Sequence, residues 1–131
     1  MTAGGSFPFT LRREEGAVVV LFGASHYHAD SLTALSAALR RAVEMAMEEG
    51  GATDVVVDLS GVVLFSSTAL RTLRTAHMEL ETHGARIVAA GGGELVGGVL
   101  KFAPFVRHYP DIDQALAALK AERDAGRRGK T

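Results

Sequence analysis

Val55, Val56 and Val57 form an unbroken β-branched run that stops at Asp58, Ser60 and Gly61. A strand with one face in water alternates apolar and polar residues. A run without alternation requires cover on both faces, as in a central parallel strand with helices on either side. Asp58, Ser60 and Gly61 supply turn chemistry, and a hydrophobic loop, Val62 to Phe65, follows. Ser66, Ser67 and Thr68 then precede Ala69, Leu70 and a helical pattern. At least one of these hydroxyls is placed to cap the helix. The same position sets hydroxyl groups beside unsatisfied backbone N–H groups, where negative charge is favoured. A phosphate added there would be stabilised locally and would change the surface strongly. Residue chemistry alone leaves two roles open, a structural cap and a modifiable hydroxyl.

The rest of the chain alternates strands and helices around this run. Residues 7–13 alternate apolar positions at Phe7, Phe9 and Leu11, and Pro8 suits an edge strand. Glu14, Glu15 and Gly16 form a turn, so a strand over 17–22 is expected to pair with the first as a hairpin. After a loop over 23–30, Leu32, Leu35, Leu39 and Val43 stand at helical spacing within 31–49, and Gly50-Gly51 stops the helix. A strand over 54–59 and a helix over 67–83, closed by Gly84, come next. A buried strand over 86–90 ends at Gly91-Gly92-Gly93, and 94–102 reads as a short helix weakened by Gly97-Gly98. Residues 106–109 make a short final strand. The last helix starts at Asp111, with Gln114 as its capping-box partner and Ile112, Ala115, Leu116 and Leu119 as its apolar face. The order ββαβαβα(β)α predicts an α/β fold, with a mixed sheet of about 4–5 strands and about 4 helices. One domain over 6–120 is expected, with 1–5 and 121–131 as flexible tails, the latter rich in Arg127, Arg128 and Lys130 among glycines.

Charge and composition remove several function classes. A chain of 131 residues with 47% apolar and 22% charged residues is an ordinary one-domain globular composition. A net charge of −1 offers no electrostatic footprint for nucleic acid. Without cysteine there is no disulfide and no thiol catalysis. The first residues lack the basic and apolar regions of a signal peptide, and no apolar run approaches the ~20 residues of a membrane span. The expected setting is cytoplasmic, without direct membrane insertion.

Other chemistry-bearing residues form weaker patterns. His26 and His28, two apart on an extended segment, point the same way and with Asp30 could offer three metal ligands, but no fourth is evident. No metal and no cofactor are therefore expected, and a small metal or ligand sensor using this loop is kept as a second alternative. His77 lies between Leu73 and Leu80 on an apolar helix face and reads as a core-edge residue with one satisfied nitrogen. Gly91 to Gly93 lack the Lys and hydroxyl of a phosphate-binding loop, and no G-x-S-x-G elbow supports a serine hydrolase. No catalytic set is present, so the chain is not expected to be an enzyme.

From Asp58 to Leu73 the sequence resembles the signature of STAS domains, the fold of bacterial anti-sigma factor antagonists, roughly D-L-S-G-V-x-F-I-D-S-S-G-L-x-x-L. Asp58, Leu59, Ser60, Gly61, Val62, Ser67, Leu70 and Leu73 match it without a gap. The element order over nearly the whole chain is similar as well. The resemblance implies a non-catalytic interaction module that binds a kinase-type anti-sigma factor. It further implies phosphorylation of the second serine of D-S-S-G, a position held here by Thr68, with Ser67 at the first. Ser66 replaces the acidic residue before the pair, and Ala69 replaces the glycine after it. Family members often carry G-E-L-D after the second strand, with its Asp near the hydroxyl; His26 stands at that position. Ser66, Ala69, His26 and Asp58 are thus the expected switch-loop and partner-binding residues. The partner implied is an anti-sigma factor or serine/threonine protein kinase, and the edge strand over 7–13 offers a route to a homodimer. The alternative is a constitutive STAS subunit or scaffold without a switch, as in a phospholipid-transport ABC system or a stress-signalling complex.

Overall fold

The computed structural model describes residues 9–14, 16–22, 26–27, 32–48, 53–62, 64–65, 67–101 and 105–129. Its core is a five-stranded sheet of β1 (Phe9–Glu14), β2 (Ala17–Phe22), β4 (Asp54–Asp58), β6 (Ile87–Ala90) and β7 (Arg107–Tyr109), side by side in that order. β1 and β2 form the expected antiparallel hairpin, whose turn contains Gly16 at φ 74°, and every other pairing is parallel. A separate two-stranded sheet joins β3 (His26–Tyr27) to β5 (Leu64–Phe65) in parallel. The helices are α1 (Leu32–Met47), α2 (Ser67–Glu81), α3 (Glu94–Leu100) and α4 (Ile112–Gly129).

The valine run is explained by two layers of packing. Val55 and Val57 belong to one core cluster with Leu35, Leu39, Leu73 and Leu80 of α1 and α2. Val56 belongs to the other, with Ala115 and Leu119 of α4. Successive side chains of a strand point to opposite faces, so both faces need apolar residues, and all three valines are at most 1% exposed. β6 repeats the arrangement, with Ile87 and Ala89 toward α1 and α2, and Val88 and Ala90 toward α4. On α1, Leu35, Ala38, Leu39, Ala42, Val43 and Ala46 are buried at the helical spacing seen in the sequence. Truncating a fully buried leucine such as Leu73 to alanine would cost about 2–5 kcal/mol.

Asp111 begins α4 as expected. Its Oδ1 accepts the Gln114 N–H at 2.8 Å, and its Oδ2 accepts from the Gln114 side-chain amide at 3.1 Å. Two expectations need correction. The loop over 23–30 and the hydrophobic loop 62–65 contain β3 and β5, which are too short to show any period in sequence. The expected tail over 121–131 is helical as far as Gly129. Glu122 of α4 accepts from both Arg86 and Arg107, and Arg123 Nη1 donates to the Gly16 carbonyl at 2.9 Å and lies 3.4 Å from Asp54. These long-range contacts anchor α4 to the sheet at Glu122 and Arg123. Residues 1–5, 130 and 131 lie outside the described residues, as do Phe7 and Pro8.

Candidate functional site

The site is built where β4 ends. Asp58 Oδ1 accepts from the Ser60 N–H at 3.0 Å and from the Ser60 hydroxyl at 2.5 Å, an Asx turn that stops the strand. The Leu59 N–H donates to Ala90 at 2.7 Å, tying this turn to the end of β6. There Gly91, at φ 77°, presses directly on Ser60. A Cβ on Gly91 would stand 2.6 Å from Ser60 Oγ and 2.9 Å from Ser60 Cα, so only glycine fits. His108 Nε2 donates to the Gly91 carbonyl at 2.6 Å, and the Gly91 N–H donates to Tyr109, so β7 holds the same loop from its other side. Beyond the turn, β5 leads into α2 while paired with β3, with His26 in register with Leu64.

α2 therefore opens on a surface assembled from loops at the carboxyl ends of the parallel strands, where open α/β sheets bind their ligands. Thr68 is exposed in its first turn, which carries no acidic residue. A groove of about 230 Å³ runs from Thr68 between α1 and α2, lined by Ser36 and Arg40 on one bank and by Thr68, Arg71 and Thr72 on the other.

The structure sorts the sequence-predicted residues. Ser67 is the first residue of α2, and Thr68 presents its side chain to solvent. Asp58 serves the turn through Ser60. The β3–β5 pairing brings the backbone of His26 beside the strand that enters α2. Ala69 is fully buried in the α1–α2 core, so its expected place among partner-contacting residues is corrected to packing. Ser66 and the metal-loop residues His28 and Asp30 lie outside the described residues. Among the described residues no group of three His, Cys, Asp or Glu could hold a metal ion, and no helix is long and apolar enough to cross a membrane. His77 is 9% exposed and packs on Phe105 with ring centroids 5.2 Å apart. Its Nε2 lies 3.5 Å from Glu81, while Nδ1 is buried without a hydrogen-bond partner among the described residues.

Arg40 and Arg71 went unnoticed in sequence. Arg71 follows Thr68 at i+3, a spacing that places both on one helix face, but the neighbouring bank of α1 has no sequence signal. At the opposite end of β4, burial pushes the Asp54 carboxyl above its ordinary value, opposed by the Arg86 N–H and by the charges of Arg123 and Arg86.

A sequence model of the STAS domain matches residues 13–115. Among solved structures, the chain is similar to the anti-sigma factor antagonist SpoIIAA in its unphosphorylated form, at 15% identity and TM-score 0.68, over 86% of this chain and 96% of that one. It is also similar to a Thermotoga maritima protein, tm1081, assigned as an anti-sigma factor antagonist, at 14% identity and TM-score 0.65, over 86% and 94% of the two chains. Murine Slc26a9, an anion transporter, shares the fold at 16% identity and TM-score 0.59, over 84% of this chain but 18% of the transporter. At these identities the likeness is one of fold. No curated protein matches the sequence.

Proposed function

This chain belongs to the STAS domain family, and from that premise we propose that it is a non-catalytic protein-interaction module acting in the cytoplasm as an anti-sigma factor antagonist. Its partner is a kinase-type anti-sigma factor, and Thr68, with Ser67 beside it, is the hydroxyl that the kinase modifies. The observation that carries this reading is the exposure of Thr68 in the first turn of α2, within a fold similar to that of two anti-sigma factor antagonists. The unmodified surface around the opening of α2 binds the partner. Phosphorylation adds about −1.5 to −2 charge and three acceptor oxygens there, and the partner is released. The protein is then a substrate of the kinase and catalyses nothing itself. The interacting domain is the expected 6–120 unit, extended by α4 to Gly129.

Pull-down of anti-sigma factors with Thr68→Glu and Thr68→Ala proteins tests the reading. Thr68→Glu should lose the partner, because a carboxylate carries part of the phosphate's charge, and Thr68→Ala should bind constitutively. Unaltered binding by Thr68→Glu overturns the switch.

One observation favours a second reading, a constitutive subunit. Ser66 and His26 stand where the resemblance expects acidic residues, and Ala69 where it expects glycine. A scaffold of this kind would bind through the same helices and would never be found phosphorylated in the cell. Intact-mass measurement of the protein purified from its native source separates the two readings.

A further inference from the structure

The groove at Thr68 has an uneven charge pattern. Arg12, Arg13, Arg41, Arg86, Arg107 and Arg123 each meet a carboxylate. Arg40, Arg71 and Arg74 are exposed and meet none among the described residues. Arg40 and Arg71 line the groove that starts at Thr68. The acidic residue of its lining, Glu79, lies eight residues beyond Arg71, about 12 Å along the helix axis, and Glu44, four residues after Arg40 on α1, is engaged by Arg41 at 3.4 Å. In a chain of net charge −1, this is a local excess of unpaired guanidinium groups beside an exposed hydroxyl.

Topology brings these groups together. α1 connects β2 to β4, and α2 connects β4 to β6, between neighbouring parallel strands. Both helices therefore run back along the sheet in the same direction, with their opening turns side by side. On α2, Arg71 and Thr72 follow Thr68 at i+3 and i+4, the spacing of one helix face. On α1, Ser36 and Arg40 are related in the same way, and packed helices stand about 8–10 Å apart. A long arginine on each bank can reach a group placed between them.

We propose that Arg40 and Arg71 form a built-in receptor for a phosphate monoester carried by Thr68, so that phosphorylation fills the groove between α1 and α2. The proposal rests on the reading of Thr68 as the modified residue. The covalent step belongs to the kinase: Thr68 Oγ1 takes the γ-phosphoryl group of ATP, ADP leaves, and the hydroxyl proton passes to the kinase's base. This chain then supplies planar guanidinium forks, which pair with phosphate oxygens through two parallel N–H···O bonds. Ser36 and Thr72 add hydroxyl donors on the same two banks. Modification thus replaces two cations and an open groove with a closed, neutralised seam, and a partner that docks across α1 and α2 loses both its charge and its shape complement.

The test uses the full chain with phosphothreonine incorporated at position 68 and ³¹P NMR titration of the phosphate. Held by two guanidinium groups, its second ionisation should fall about one unit below the usual value near 6. Arg71→Gln and Arg40→Gln should each move it back toward that value, and Arg71→Lys should recover part of the shift. Backbone amides around Ser36 and Arg40, on a different helix from the phosphate, should move on phosphorylation. A phosphate that titrates identically in the parent and in both Gln variants, all shown folded by circular dichroism, overturns the receptor. The two readings fail separately. A phosphate that senses both arginines while partner binding is unchanged keeps the receptor and overturns the switch. A Thr68→Glu variant that releases the partner, with a phosphate blind to both arginines, does the reverse.

Discussion

Where β2, β4, β6 and β7 begin, charge is cross-linked. Asp54 accepts the Arg86 N–H at 3.1 Å and faces Arg123; Arg86 and Arg107 converge on Glu122; Arg123 also holds the Gly16 carbonyl. Where the same strands end, Thr68 and Arg71 stand exposed in the opening half of α2 and Arg40 at the middle of α1, with no ion pair to either arginine among the described residues. The first end joins the sheet to α4 and has satisfied its charges internally. The second has left donors unused on the faces of α1 and α2 beside the loops. Charged groups that a fold does not use for itself remain available to a partner or a modification, and the proposed interaction surface lies at the second end.

The largest expected effect tests how rigid that second end is. Gly91→Ala forces an L-residue into the left-handed region and drives its Cβ against the backbone of Ser60. Roughly 2–4 kcal/mol should be lost, read as a fall in urea midpoint with unchanged slope. A variant as stable as the parent would mean that the β4 and β6 loops are not pressed together.

Next comes the cross-linked end. Arg123→Gln removes the cation facing a carboxylate that is 11% exposed, although Arg123 itself is 29% exposed and the contact is 3.4 Å. Solvent screening and the remaining Arg86 N–H place the loss at about 1 kcal/mol, well below that for a fully buried pair. Partner binding should not change. Loss of binding with full stability would reverse the roles assigned to the two ends.

The pH dependence of Asp54 sharpens the contrast. Burial raises its folded value above the ordinary 3.8, so between the two values the folded state binds the proton more tightly than the unfolded state. The contribution of Asp54 to stability is then greatest below 3.8 and is lost as pH rises through the raised folded value. Asp54→Asn keeps an oxygen acceptor for the Arg86 N–H and lacks this titration. Melting curves from pH 3 to 7 should show the parent losing ground to the variant as pH rises across that window. Parallel curves would contradict the raised value. The smallest effect belongs to Arg40→Gln and Arg71→Gln, which should each change stability by no more than about 0.5 kcal/mol.

Much of the fold was legible because its signals are local. Val55–Val57 demanded two covered faces, Leu35, Leu39 and Val43 marked the buried stripe of α1, and Asp111 with Gln114 marked the start of α4. The misses were of a different kind. β3 and β5 are two residues each and exist through each other, a pairing across the chain that leaves no period. Glu122 and Arg123 of α4 meet Asp54, Gly16, Arg86 and Arg107, all distant in sequence, which the local composition of the segment could not announce. In the candidate site, the hydroxyl stretch at the start of α2 was legible from cap chemistry and from the STAS signature. That Ala69 faces the core, with Thr68 beside it facing water, required the orientation of the helix on the sheet.

By itself, the sequence determined the α/β class, the order of the main strands and helices, and the place where hydroxyls meet a helix start. Hydrophobic period, turn residues and caps act over a few residues, and each of these features is set at that range. Only the tertiary structure decided which charges are engaged and which are left open. An ion pair depends on residues that chain topology brings together, and so does a groove between two helices. Arg86 meets Glu122, and Arg40 shares a groove with Thr68, only after the parallel crossovers have placed their helices.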